Sequence, residues 1–206
     1  MDKPSVTQSI FATAVICFIS SGVALADTPL GLYVAGSVGQ ADVRTSLADF
    51  SARHFGWDVS LGIRPLPLLG AELEYVNFGR PTVHRPENPL DAYYLSTTAD
   101  ARQRATELSM LGLVPLRPQW FNLYGRAGIA RLQTNAHAQT VVVCPSGPCS
   151  NIVFAPVSLV RTDTRFLYGI GAQAKFHAFA ARLEYQRLGT NGEDPDLLSA
   201  GLVWKF

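Results

Sequence analysis

The stretch from residue 54 to residue 64 reads His-Phe-Gly-Trp-Asp-Val-Ser-Leu-Gly-Ile-Arg. Every second residue from Phe55 to Ile63 is large and apolar, and the residues between them are small or charged. Successive side chains of a β-strand point to opposite faces, so this period of two predicts a strand with one apolar face. The same alternation runs through residues 164–176 and 198–206.

Five further segments alternate less cleanly, which brings the predicted strands to eight: residues 31–40, 54–64, 70–80, 103–115, 121–132, 164–176, 179–189 and 198–206. Most are close to the ~9–11 residues with which a tilted strand crosses a bilayer. Short connections at residues 65–67, 116–118 and 177–178 alternate with long polar ones at residues 41–53, 81–102 and 133–163, and only the last connection, residues 190–195, breaks this rule. Outer-membrane barrels have this arrangement, with short turns in the periplasm. The pattern predicts an all-β fold, a closed eight-stranded antiparallel transmembrane β-barrel with both termini periplasmic.

The first 26 residues have the features of a secretory signal peptide. Lys3 precedes an apolar run at residues 10–19, and Ala24-Leu25-Ala26 supplies the small residues of a cleavage site. We therefore expect residues 1–26 to be removed and residues 27–206 to form the barrel domain; an N-terminal membrane anchor is the alternative. No apolar run in residues 27–206 approaches the ~18 residues of a membrane-spanning helix.

Composition narrows the class of protein further. The 206 residues carry a formal net charge of +1, which argues against nucleic-acid binding because phosphate contacts require clustered Lys and Arg. Charged residues make up 16% of the chain, well below the ~25% of an ordinary soluble domain, and the chain has 17 glycines. This mixture favours an all-β chain.

The size of the side chains decides which face of the strands points inward. A soluble ligand-binding barrel of the lipocalin type would direct its large apolar side chains into the lumen. An eight-stranded lumen barely holds its own side chains, so the large face is expected to contact lipid. The aromatic residues predicted to face lipid are Trp57, Tyr75, Phe166, Tyr168, Tyr185 and Trp204.

The opposite face carries five acids and five bases, which predicts ion pairs inside a plugged lumen. Arginine supplies most of the positive charges, and its planar guanidinium suits bidentate contacts with carboxylates in a confined space. Separate solvated charges in water pockets are the alternative. The predicted lumen residues are Asp58, Arg64, Glu72, Glu74, Glu107, Arg126, Arg165, Lys175, Arg182 and Glu184.

Two segments repeat each other, and the chain resembles a known family. Residues 71–79 and 181–189 match at Ala, Leu, Glu, Tyr and Gly in one register. Together with Leu-Tyr-Val-Ala-Gly-Ser-Val-Gly at residues 32–39 and the terminal Leu202-Val-Trp-Lys-Phe206, they resemble the eight-stranded transmembrane domain of the OmpA/OmpX-type porin family.

The resemblance implies an integral protein of the bacterial outer membrane that is folded with periplasmic chaperones and the barrel-assembly machinery. It also implies that Leu202, Trp204 and Phe206 form the assembly signal. OmpA itself continues into a peptidoglycan-binding domain, whereas this sequence stops at Phe206, so no cell-wall tether is expected.

The cysteines of the third long connection form the one further candidate site. Cys144 and Cys149 flank Pro-Ser-Gly-Pro, which in an exported protein predicts a disulfide at a loop tip, with free thiols as the alternative. So short a closed loop stabilises only modestly, so we expect its effect to be local.

Motifs for catalysis or metal binding are scarce in the sequence. His54, His84, His137 and His177 lie in different segments without metal-ligand spacing, so we expect no metal and no cofactor. Lipid A-modifying barrel enzymes use a His with a nearby Ser, but His54 and Ser60 are six residues apart, roughly 20 Å along a strand.

These observations favour a structural or surface-interaction protein over an enzyme. Adhesion, resistance to host defence and contact with lipopolysaccharide all fit the composition of the loops, and a host or surface ligand could bind there. A small-solute porin is the main alternative, and a lipid A-modifying enzyme is a weaker one.

Overall fold

The alternating segments form long antiparallel strands in the computed structural model, which describes residues 31–45, 50–86, 94–118, 120–143, 152–189 and 195–206. The strands are β1 (Tyr33–Thr45), β2 (Phe50–Leu66), β3 (Leu69–Asn77), β4 (Thr82–Pro86), β5 (Tyr94–Pro115), β6 (Phe121–Val143), β7 (Ile152–Val153), β8 (Val157–Phe176), β9 (Phe179–Gly189) and β10 (Asp196–Lys205). Within the residues described, no helix has the length and apolar character needed to cross a membrane.

Eight of these strands form a ring. Each strand pairs antiparallel with the next in the order β1, β2, β3, β5, β6, β8, β9 and β10, and β10 pairs with β1 again. The first and last strands meet over ten residue pairs, from Tyr33 opposite Lys205 to Asp42 opposite Asp196. This arrangement is the predicted all-β ring of eight antiparallel strands.

The two ends of the ring differ. One end, here called the turn end, holds the short connections at residues 67–68, 116–120 and 177–178. In the last of these, His177 adopts a φ of 55°, as tight hairpin turns often require. The opposite end, here called the loop end, holds the remaining connections.

Several strands are longer than the sequence pattern predicted. The stretches 81–102 and 133–163 were expected to be polar loops, but β5 begins at Tyr94, β6 continues to Val143 and β8 begins at Val157. Strands β5 and β6 pair without interruption from Tyr94 opposite Val143 to Pro115 opposite Asn122. Threonine, valine and alanine side chains replace the apolar alternation there, and continuous backbone pairing carries the hairpin beyond the apolar band.

The third strand is interrupted, which explains the short strand β4. Strand β3 ends at Asn77, and Gly79 adopts a φ of +86°, where a β-carbon would lie 2.7 Å from the Phe55 carbonyl oxygen. A left-handed conformation at so crowded a position requires glycine. The chain then resumes as β4, which pairs with β5 beyond the point where β3 leaves it.

The interior of the ring is filled with side chains in layers. Nearest the loop end lies an apolar cluster that includes Val76, Phe78, Leu132, Leu167 and Leu188, all at most 4% exposed. Charged residues fill the middle, and smaller apolar clusters around Tyr33 and Tyr124 lie nearer the turn end. Buried side chains therefore occupy the described interior at all three heights.

Candidate functional site

A group of charged side chains occupies the middle of the lumen. We call it the central cluster, and its members are Asp58, Glu72, Glu74, Glu107, Arg126, Arg182 and Glu184, all at most 5% exposed. They come from β2, β3, β5, β6 and β9, because inward-facing residues of neighbouring strands lie at matching heights. For example, Glu74 lies opposite Glu107, and Ser60 lies opposite Glu74.

Arg126 is the hub of the central cluster. Its Nη1 donates to Glu74 Oε2 at 2.6 Å and to carboxylate oxygen Oε1 of Glu184. The same nitrogen donates to Gln186 Oε1 at 3.0 Å, while Nη2 donates to Ser109 Oγ at 2.9 Å. One guanidinium from β6 thus holds side chains of β3, β5 and β9 across the lumen.

Arg182 organises the second half of the cluster. Its guanidinium forms a two-pronged hydrogen bond to Glu72, and its Nη1 lies 3.7 Å from Glu184 Oε2. The fork of the guanidinium matches the carboxylate of Glu72, as is typical of strong arginine–carboxylate contacts. Glu184 therefore lies between both arginines.

Two tyrosine hydroxyls complete the hydrogen bonding of this layer. The hydroxyl of Tyr33 donates to Glu72 Oε1 at 2.6 Å, and the hydroxyl of Tyr124 donates to Glu184 Oε2. Neither tyrosine was identified from the sequence, because a large aromatic residue was expected on the outer face. Tyr124 lies two residues before Arg126, a predicted lumen residue, and this alternation is a signal that could have placed its ring inside.

Acids outnumber bases in the central cluster. Five carboxylates surround two guanidinium groups, and both carboxylate oxygens of Glu107 are buried without a hydrogen-bond partner in the structure. The nearest base to Glu107 is Arg126, at 3.6 Å. The arrangement ties four strands together but leaves more buried carboxyl groups than guanidinium groups to pair with them.

The other predicted lumen residues lie away from the central cluster. Arg165 lies towards the loop end, where its Nη2 is 3.1 Å from Asp163 Oδ2. Arg64 and Lys175 lie at the turn end, where Arg64 Nη2 donates to Gln173 Oε1 at 2.6 Å. The charged residues of the lumen are thus distributed over three heights.

The six aromatic residues predicted to face lipid all lie on the outside of the ring. They are Trp57, Tyr75, Phe166, Tyr168, Tyr185 and Trp204, and each is more than a third exposed. Trp57 and Tyr75 are neighbours with ring centres 5.7 Å apart, and Trp204 lies 4.9 Å from the ring of Phe206 at the turn end. Leu202 is also on the outer face. The three residues of the predicted assembly signal therefore lie on one side, Leu202 and Trp204 within β10 and Phe206 directly after it.

The structure does not describe the two cysteines identified as a candidate site in the sequence. Cys144 and Cys149 lie outside the described residues, so the predicted disulfide stays a prediction. Among the described residues, no group of three or more His, Cys, Asp or Glu side chains is arranged to hold a metal ion.

The comparisons with known proteins agree with this architecture. The family described as "Outer membrane protein beta-barrel domain" matches residues 10–206, and the chain belongs to this family. Neisserial surface protein A is similar in structure, with a TM-score of 0.52 and 16% sequence identity over 85% of this chain and 97% of that one. The attachment invasion locus protein of Yersinia pestis has a TM-score of 0.50 and 13% identity over 86% of this chain and 99% of that one. At these identities the likeness concerns the fold.

A comparison with functionally curated proteins found no match. The family nevertheless places the chain among proteins of the bacterial outer membrane.

Proposed function

We propose that the chain forms a closed, plugged barrel in the outer membrane and acts through its outer surface and loops as a structural or surface-interaction protein. In this proposal residues 1–26 are a cleaved signal peptide, the turn end and both termini face the periplasm, and the loop end faces outward. The barrel is not an enzyme and needs no cofactor. Periplasmic chaperones and the barrel-assembly machinery would deliver it to the membrane.

The packing of the lumen is the observation that carries this proposal. Arg126 joins side chains from three other strands, and the apolar cluster with Phe78 and Leu167 covers the central cluster on the side of the loop end. A solute would have to displace both layers, and the buried carboxylates of the central cluster would lose their arginine partners. Such a lumen favours a mechanical or surface role over diffusion.

The conductance of the purified protein in planar lipid bilayers tests the plugged lumen. We expect at most rare and small openings at moderate voltage. A variant that combines Phe78→Ala, Leu132→Ala and Arg126→Ala removes parts of both layers, and its conductance should rise above that of the wild type. A steady conductance of porin size in the wild type would instead support the alternative, a small-solute porin.

The outer surface of the loop end fits contact with anionic lipid. Arg104 on β5 and Arg131 on β6 both alternate with buried residues and therefore project outward. Arg131 lies opposite Thr106, two residues from Arg104, so the two arginines are diagonal neighbours on the paired strands. They lie just beyond Leu108 and Ile129, which are exposed outer-face residues of the apolar band. Arginine at the edge of an apolar band is well placed for the phosphates of lipopolysaccharide.

This contact is testable separately from the conductance. Adding lipopolysaccharide to the protein in neutral-detergent micelles should raise its unfolding temperature, and the double change Arg104→Gln with Arg131→Gln should reduce that rise. Arg165→Gln is the matched control because Arg165 lies inside the ring. An undiminished rise in the double variant would remove these arginines from the contact.

A further inference from the structure

The turn end of the lumen contains three basic side chains that the central cluster does not use. We call Arg64, Lys175 and Lys205 the basic mouth. They come from β2, β8 and β10, all three alternate with outward-facing residues, and all three are partly buried. Lys175 and Lys205 are also the only lysines in residues 31–206.

Strand register and two side-chain contacts of Arg64 place these residues at one end of the lumen. Lys205 lies opposite Tyr33 in the pairing of β10 with β1, and the Arg64 guanidinium lies over the Tyr33 ring, 4.8 Å from its centre. Arg64 then reaches across the lumen to Gln173, which is two residues from Lys175 on the same inward face of β8.

The three positive charges have no acidic partner in the described part of the chain. No side-chain carboxylate there lies within the 4.0 Å of an ion pair with any of them, although five carboxylates lie further up the lumen. The charges act on one another instead, because Arg64 and Lys175 both repel Lys205, and Arg64 also repels Lys175. Like charges that converge without a counter-charge are costly in a partly buried site.

Hydrogen-bond donors without partners converge on the same place. Arg64 Nε and Gln173 Nε2 are buried donors with no acceptor in the structure, and Gln173 is fully buried. The Lys175 ammonium has one acceptor, the side-chain oxygen of Asn122 at 2.9 Å, whereas Arg64 Nε and Gln173 Nε2 have none. An anion would satisfy these donors and offset the repulsion.

We propose that the basic mouth binds a phosphate group at the turn end of the barrel. A phosphate monoester or inorganic phosphate carries about −1.5 to −2 charges at pH 7 and several acceptor oxygens, which suits three cations better than a single carboxylate does. The site is distinct from the loop-end surface. Only its assignment to the periplasmic side rests on the proposed orientation of the barrel, whereas binding itself does not.

The two lysines provide their own probes for the test. Reductive methylation with ¹³C-formaldehyde keeps the positive charge and gives each lysine a separate NMR signal in the folded full chain in neutral-detergent micelles. Lys175→Gln and Lys205→Gln assign the two signals. Inorganic phosphate should shift both signals in a saturable manner, beyond the effect of sodium chloride at the same ionic strength.

Variants distinguish binding from general screening. Arg64→Gln should weaken phosphate binding by about tenfold or more, since it removes one charge-assisted contact. Arg161→Gln changes an exposed arginine near the loop end, away from the basic mouth, and should leave the binding curve unchanged. Equal weakening of binding by both variants would overturn the proposal. Equal shifts with phosphate and chloride would also overturn it if phosphatidylglycerol, tested next, produces no shift either.

A second experiment with lipids distinguishes free phosphate from a lipid headgroup as the ligand. The methylated protein is placed in nanodiscs of phosphatidylcholine with or without phosphatidylglycerol. Saturable shifts with free phosphate support a soluble phosphate ligand, and shifts that require phosphatidylglycerol support a lipid headgroup. Neither outcome depends on conductance, so this test can fail while the plugged barrel stands.

Discussion

The ring of Tyr124 lies directly over the backbone of Gly171, so closely that a β-carbon at residue 171 would overlap the tyrosine ring. Tyr33 lies over Gly62 in the same way on the other side of the barrel. In each case the tyrosine comes from one strand, the glycine from the next strand of the ring, and the hydroxyl donates to a glutamate one strand further on. The lumen thus contains the same aromatic–glycine–glutamate arrangement twice.

This contact predicts that Gly171→Ala destabilises the barrel. The added methyl group must displace the Tyr124 ring and with it the hydrogen bond to Glu184, and overpacking of this kind costs about 1–3 kcal/mol. Urea unfolding of the protein in lipid vesicles measures the change in the free energy of unfolding. Gly112→Ala is the matched control, because a β-carbon at residue 112 meets nothing within 4 Å. Equal losses at the two positions would show that the tyrosine contact is unimportant.

Arg126 is predicted to be the most sensitive residue of the lumen. Arg126→Met leaves Glu74 and Glu184 without their main base, and removing one partner of a buried ion pair costs about 3–5 kcal/mol. Arg131→Met, five residues along the same strand but on the outer face, should change the free energy of unfolding by less than about 1 kcal/mol. Urea unfolding in lipid vesicles measures both changes. Similar losses of unfolding free energy for the two variants would contradict the role of Arg126 as hub.

The excess of acids makes two glutamates respond differently to neutralisation. Glu107→Gln removes a buried carboxylate that accepts no hydrogen bond in the structure, so we expect stability to be unchanged or higher. Glu184→Gln removes a carboxylate that accepts from Arg126 and Tyr124, and should cost about 1–3 kcal/mol. Unfolding curves for the two variants at one pH test this contrast. The interpretation fails if Glu107→Gln is the more damaging change.

The loss of stability caused by a charge on the outer face should depend on its position along the barrel axis. Leu61→Arg places a cation within the apolar band and is expected to cost about 2–4 kcal/mol in vesicles. Val160→Arg also changes an exposed apolar residue, but Val160 lies six residues beyond Phe166 on β8 and should be nearly neutral. A comparable penalty at Val160 would mean that the apolar band extends further than the aromatic residues indicate.

The predicted assembly signal can be separated from ordinary packing at the turn end. Phe206→Asp should lower the amount of heat-modifiable barrel in the outer membrane while the exported chain still reaches the periplasm. Phe176→Asp changes an exposed phenylalanine next to the turn at residues 177–178 and serves as the control. Similar yields for the two variants would assign the effect of Phe206 to a general loss of apolar surface at the turn end.

The sequence by itself determined the class of fold and the count of strands in the ring. Alternation along residues such as Phe55–Ile63 reports which side of a strand contacts an apolar medium, and that property is local. It could not show that β5 and β6 continue as a paired hairpin beyond the apolar band, because Thr, Ala and Gln residues there carry no such alternation. Backbone pairing with a neighbouring strand decided their length.

Only the tertiary structure decided which inward-facing residues contact each other. Asp58, Arg64 and Lys175 all lie on the inward face of their strands. The sequence therefore predicted one set of ion pairs for the whole lumen. The relative heights of neighbouring strands separate them into a central cluster around Arg126 and Arg182 and a basic mouth at the turn end. Tyr33 and Tyr124 point inward because glycines on the adjacent strands make room for their rings. Strand register, which brings distant residues to one height, is a property of the closed pairing order and cannot be obtained from the periodicity of any single strand.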